Sequence, residues 1–276
     1  LSKTECKLCP HHCRLDENQT GLCNARSNDG GEIVPVNYGE ITCIDLDPVE
    51  KKPLRHFYPG SKILSAGSYG CNLKCSFCQN YEISAAGKND IKTQRITPEN
   101  LIQIAMDLLP RGNIGIAYTY NEPLVGYEYV RDCAMLAAKK GLKNVVVTNG
   151  CFCEDPIEEM LPFIDAFNVD LKGFTEKFYN DVGGNLETVK RFIKLVSENS
   201  HVEVTTLVIP DENDSEEEIT ELSRFIASVN KDIPLHISKF FPCYKMSGKR
   251  PTDVKKVYKL AETARKQHNY VYEGNC

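Results

Sequence analysis

The sequence has no long uncharged apolar run, so no membrane-spanning helix is expected. No secretory leader is visible, which argues against an extracellular disulfide scaffold. It lacks a basic excess. Its 33 Lys and Arg stand against 38 Asp and Glu, for a net charge of −5. That balance carries neither a nucleic-acid footprint nor a polybasic membrane anchor, so neither nucleic acid nor a membrane is expected as a partner. Internal repeats and low-complexity segments are missing too. What the chain has in plenty is cysteine, thirteen in 276 residues. An odd count without a secretory signal points away from disulfides and toward metal or redox chemistry in a reducing cytoplasm.

Seven of the thirteen fall in two clusters. Cys6, Cys9, Cys13 and Cys23 follow a C-x2-C-x3-C-x9-C spacing, and Cys71, Cys75 and Cys78 follow C-x3-C-x2-C. Four thiolates on a short, core-poor segment make a saturated site whose metal would help to fold the segment. Structural zinc is the first choice there, with a second 4Fe–4S cluster as its rival. His11 and His12 are read as polar neighbours of that site, with replacement of a cysteine ligand as the alternative. The triplet is different, because no fourth cysteine follows closely. A 4Fe–4S cluster held by three thiolates keeps one iron open to another ligand, and the alternatives are buried structural cysteines or a zinc site completed by a distant ligand. Cys43, Cys133, Cys151, Cys153 and Cys243 are read as packing residues.

The length suits one sizeable domain and a small appendage. Residues 1–60 are turn-rich and read as a Cys-rich metal-binding module of short strands. Within them "DPVEKKPLRHFYPGS" reads as a connector. Residues 61–276 alternate short apolar runs with helical segments. Strands are expected at "KILSAGS", "IGIAYTY", "NVVVTN", "AFNVDL", "VEVTTLVI", "PLHISKF" and "YVYE". Among the helices, "TPENLIQIAMDLL" has Thr97 as N-cap and Pro98 in its first turn. "NLETVKRFIKLVSEN" places Leu186, Val189, Phe192, Ile193 and Val196 on one face. "NDSEEEITELSRFIASV" begins at Asp214 or Ser215, with its acid run suiting the helix dipole rather than a metal. This alternation predicts parallel βα units in an α/β partial (β/α)6 barrel, with chemistry at the C-terminal ends of the strands. The chain starts at Leu1 rather than Met and stops abruptly at Cys276, so residues are expected to be missing at both ends.

The triplet in "GCNLKCSFCQN", with Phe77 just before its last cysteine and a preceding strand, resembles the radical S-adenosylmethionine (SAM) enzymes. The resemblance implies a 4Fe–4S cluster on Cys71, Cys75 and Cys78 whose open iron binds the amino and carboxylate groups of SAM. One electron then cleaves SAM to methionine and a 5′-deoxyadenosyl radical, which takes hydrogen from a substrate. It also implies cofactor contacts from Phe77, from Asn121 and Glu122 in "TYNEP", from Thr148 and Asn149 in "TNG", from Asp170 and Lys172 in "DLK", and from His236. Glu122 would accept from the methionine ammonium, and Lys172 would pair with the carboxylate. Tyr118 and Tyr120 read as wall packing.

In layout the chain is similar to glycyl-radical-enzyme activases, but Val147 and Thr205 stand where those tend to carry Asp and Arg. A fuller resemblance runs over "CKLCPHHC", "GLC", "DPVEKKPLRHFYPGS", "GCNLKCSFCQN", "YTYNEP", "NVDLKGF" and "HISKFFP". It is to the radical SAM enzyme of the AmmeMemoRadiSam system, commonly labelled pyruvate formate-lyase activating enzyme-like. That implies Memo-like and AMMECR-type partner proteins, a reductant such as flavodoxin or ferredoxin, and an unidentified small-molecule or protein substrate. The alternative from another class is an Fe–S electron carrier or a zinc-based binding protein. The open triplet speaks against a simple carrier.

Overall fold

The computed structural model describes residues 3–276. Its centre is an eight-stranded sheet whose strands lie side by side in chain order. They are β1 (Cys43–Pro48), β2 (Lys62–Gly67), β3 (Asn113–Tyr118), β4 (Lys143–Thr148), β5 (Ala166–Asp170), β6 (His201–Val208), β7 (Leu235–Lys239) and β8 (Val271–Gly274). β2 to β8 are parallel, and β1 pairs antiparallel with β2 at one edge. All seven strands expected from the sequence are present. Six are followed by helical crossovers, and β8 closes the order without one. The two edge strands do not pair, so the barrel is open.

The long helices are α1 (Pro98–Asp107), α2 (Tyr127–Lys139), α3 (Leu186–Ser197), α4 (Glu216–Val229) and α5 (Val254–Arg265). Their starts follow local chemistry. The Thr97 side chain accepts from the Asn100 N–H, and the Ser215 side chain accepts from the Glu218 N–H. The α3 face expected from the 3.6-residue period is the face that is buried.

The inward residues of the sheet are small at its lower end, including Ala117, Val145 and Ala166. Val49, Leu54 and Phe57 fill the space between them. The segment expected to be a connector is therefore the plug of the barrel floor. Two buried charges fix it there. Lys52 pairs with Asp47 at 2.7 Å, and the Arg55 and His56 N–H groups donate to Glu203 at 2.9 and 2.7 Å. β1 thus pairs with the first parallel strand and the plug packs against the barrel floor, both within residues 1–60. The residues before it form short antiparallel pairs, Thr4–Glu5 with Arg14–Leu15 and Arg26–Asp29 with Glu32–Pro35.

This N-terminal module docks on the upper, C-terminal end of the barrel. Arg26 is buried against Glu128 at 2.7 Å, and Tyr38 donates to Asp132 at 2.7 Å. Among the described residues no helix is long and apolar enough to cross a membrane.

Candidate active site

The cysteine triplet lies in the loop leaving β2. Gly70, at φ +90°, turns the chain into it, a conformation that L side chains rarely adopt. Asn121 holds this loop to the one leaving β3. Its side-chain oxygen accepts from the Ser68 N–H at 2.9 Å, and its amide donates to the Tyr69 and Gly70 carbonyls at 3.0 and 3.1 Å. Asn121 was expected to touch the cofactor. It reaches the cavity, but its polar atoms are committed to shaping the cysteine loop.

The three thiols open into a cavity of about 280 Å³ above the barrel. Phe77, Asn121, Glu122, Thr148, Asn149, Asp170 and Lys172 line it as well, so the structure brings together residues from four separate loops. Glu122 is buried and accepts from Thr148 Oγ1 at 2.7 Å, from the Asn149 N–H at 2.7 Å and from the Leu124 N–H at 3.1 Å. Burial outweighs those bonds and pushes its carboxyl up to about 7. Across the cavity Lys172 Nζ donates to Asp170 Oδ2 at 3.0 Å. The site therefore offers two carboxyl groups, Glu122 and the Lys172-paired Asp170, and one ammonium to a zwitterionic ligand.

His236 departs from expectation. It sits two residues lower on β7, with Nε2 donating to Glu203 at 2.6 Å, among the groups that fasten the plug. Ser238, on the same face of β7 but nearer its C-terminal end, is the β7 residue that reaches the cavity. Tyr120 also departs from its reading. It lines the cavity, adopts φ 73°, and donates from its hydroxyl to Asp47 at 2.7 Å. Pro53, Asn80 and Asn275 line the cavity without having been singled out, because their loops meet only in three dimensions. Val147 and Thr205 both face it, so the cavity lacks Asp and Arg at those places.

The donor set fits a thiolate-bound cluster. Burial raises the Cys71 thiol well above its usual value and the Cys75 thiol to about 11. Buried thiols of this kind ionise only against strong positive charge, which bound iron provides. The Asn149 amide lies 3.7 Å from Cys71 Sγ, and the Leu73 N–H donates to the same sulfur at 3.3 Å. These donors favour a thiolate over a thiol.

In the N-terminal module, Cys6, Cys9, Cys13 and Cys23 line one small cavity together with Asn72 and His11. Burial raises the Cys9 thiol to about 12. Among the described residues no three Cys, His, Asp or Glu side chains are drawn together as tightly as one metal ion requires. Cys133 and Cys151 are buried as expected of packing residues. Cys243 is half-buried and donates to the Phe77 carbonyl at 3.2 Å, beside the triplet.

Known proteins agree with this geometry. The Radical SAM superfamily model matches residues 66–223, more than half of the chain. An uncharacterised protein of Methanocaldococcus jannaschii is 36% identical over 278 residues, covering 99% of this chain and 82% of that protein. The pyruvate formate-lyase 1-activating enzyme of Escherichia coli is 25% identical over 170 residues, covering 59% of this chain and 68% of that enzyme. In fold, the chain is similar to Streptococcus suis SuiB bound to S-adenosylmethionine. The TM-score is 0.60 at 16% identity, over 75% of this chain and 48% of that one. With three open-site thiols at the head of a sequential βα barrel, the chain belongs to the radical SAM superfamily, whose enzymes cleave S-adenosylmethionine reductively at a 4Fe–4S cluster.

Proposed function

We propose that the chain is the radical SAM enzyme of an AmmeMemoRadiSam system, abstracting hydrogen from an unidentified small molecule or protein side chain. The observation that carries the radical chemistry is the convergence of Cys71, Cys75 and Cys78 with Glu122 and Lys172 in one cavity. When bound, the cluster supplies the electron that breaks the sulfur–C5′ bond of SAM. The residues' part is binding and orientation. Glu122, held by Thr148 and Asn149, accepts from the methionine ammonium. Lys172, steadied by Asp170, meets the carboxylate, and Phe77 walls the cluster side. His236 is left out of this set because its ring is committed to Glu203.

The four N-terminal cysteines hold a metal group, zinc or a second Fe–S cluster. The thiol-rich sites suit a reducing cytoplasm, with flavodoxin or ferredoxin as electron donor and Memo-like and AMMECR-type proteins as partners. Activation of a glycyl-radical enzyme is the second reading, supported by similarity to pyruvate formate-lyase activating enzymes. The neutral Val147 and Thr205 in the cavity weigh against it.

The test is anaerobic turnover of SAM by the reconstituted chain, alone and with a Memo-like and an AMMECR-type protein. Faster 5′-deoxyadenosine release with those proteins supports the first reading. A glycyl radical in an added glycyl-radical enzyme, seen by electron paramagnetic resonance, supports the second and overturns the first.

A further inference from the structure

The two cysteine sites are in direct contact. The Cys71 N–H donates to the Cys23 carbonyl at 3.2 Å, so a thiol-bearing residue of one site is hydrogen-bonded to a thiol-bearing residue of the other. Gly70 makes this approach possible, since a Cβ there would stand 2.5 Å from the Cys23 carbonyl oxygen. A second connection runs through Asn72, which lines the four-cysteine cavity. Its side-chain oxygen accepts from Asn149 Nδ2 at 2.8 Å, and the same amide lies 3.7 Å from Cys71 Sγ. His11 Nε2 donates to the Asn72 carbonyl at 2.8 Å.

A zinc ion would brace the module equally well far from the triplet, and it has no redox chemistry. Short covalent and hydrogen-bonded routes between two thiolate sites are what electron transfer requires. Four cysteines also saturate a 4Fe–4S cluster, leaving no open iron, as suits a carrier rather than a second reaction centre.

We propose that Cys6, Cys9, Cys13 and Cys23 hold a second 4Fe–4S cluster and that this cluster delivers the reducing electron to the triplet site across the Cys23–Cys71 contact. The inference rests on reading the module as a metal site. In the transfer, a low-potential one-electron donor protein of the flavodoxin or ferredoxin class is oxidised by one electron and the N-terminal cluster is reduced. That cluster is then reoxidised as the triplet cluster is reduced. No bond is made or broken and no proton moves in either transfer.

The experiment uses the full chain, reconstituted anaerobically with iron and sulfide in the presence of zinc. Metal content is measured first. Wild type is expected to hold about eight irons per chain, and the Cys71/Cys75/Cys78→Ala variant about four. Dithionite-reduced samples are then compared by electron paramagnetic resonance. The variant should keep a reduced-cluster signal. The wild-type spectrum should be broader than the sum of the signals from this variant and from a Cys6/Cys9→Ser variant, because two nearby spins interact. About four irons and one zinc in wild type would overturn the proposal without reliance on any variant. A wild-type spectrum equal to the plain sum would overturn the relay while leaving the cluster. Release of 5′-deoxyadenosine by wild type scores the radical SAM reading separately, so the two failures are distinguishable.

Discussion

Glu122 should make SAM binding depend on pH. Its carboxyl is buried and is pushed up to about 7, although Thr148, Asn149 and Leu124 all donate to it. A carboxyl whose folded value lies above its unfolded one binds its proton more tightly in the native chain. Without ligand it therefore costs stability as pH rises from about 4.5 through 7. An ammonium placed against it reverses that cost, because the ionised form is then the favoured one. The ionised fraction rises roughly 15-fold between about pH 5.5 and pH 7, while an α-amino group stays largely protonated over that window. SAM affinity of the reconstituted chain should rise by a similar factor. Glu122→Gln should bind weakly with a flat profile, by roughly 10- to 100-fold at pH 7, the cost of about 1.4–2.8 kcal/mol expected for a lost charge-assisted bond. Anaerobic calorimetric titration across the window is the assay. A flat wild-type profile, or an unchanged slope in Glu122→Gln, would refute the assignment of the ammonium to Glu122.

Three further outcomes test the architecture around the site. At Glu203, burial opposes the charge, but His201, His236 and the N–H groups of Arg55 and His56 outweigh it and bring the carboxyl down to about 2. Its stabilisation is therefore present above about pH 4.5 and is lost as pH falls toward 2, and Glu203→Gln should cost about 3 kcal/mol at pH 7 and flatten the acid limb of urea unfolding. Lys52→Met leaves Asp47 buried beside Tyr120 with only the exposed Lys51 as its cationic partner. It should destabilise the chain by about 3 kcal/mol in the same assay, and an unchanged midpoint would contradict a buried pair. Gly70→Ala forces a strained φ and a clash with the Cys23 carbonyl. It should lower the iron content of both cysteine sites, and full iron loading would count against their contact.

What the sequence made legible was periodic or local. The seven parallel strands, the Thr97 cap and the buried α3 face follow from patterns a few residues long. The cysteine triplet stood out by its spacing, and its three thiols line one cavity. The plug did not stand out, because Pro and charge in "DPVEKKPLRHFYPGS" read as a linker. Only the small inward residues of distant strands create the space that Val49, Leu54 and Phe57 fill. His236 lies outside the cavity lining for a related reason. Alternation along β7 puts it on the same face as Ser238, but depth within the barrel is set by stagger between strands, which a single strand does not reveal. The Cys23–Cys71 bond lies between residues 48 positions apart and is made by backbone atoms, so no residue type announces it.

Reductive cleavage of SAM at Cys71, Cys75 and Cys78 is tested most directly by 5′-deoxyadenosine release. The chain is reconstituted anaerobically with iron and sulfide, reduced with dithionite and given SAM beside a Cys71/Cys75/Cys78→Ala control. Wild type should release 5′-deoxyadenosine and methionine, and the control neither. Equal release from both, or none from a wild type whose triplet cluster is spectroscopically intact and reduced with SAM bound, would contradict cleavage at this triplet.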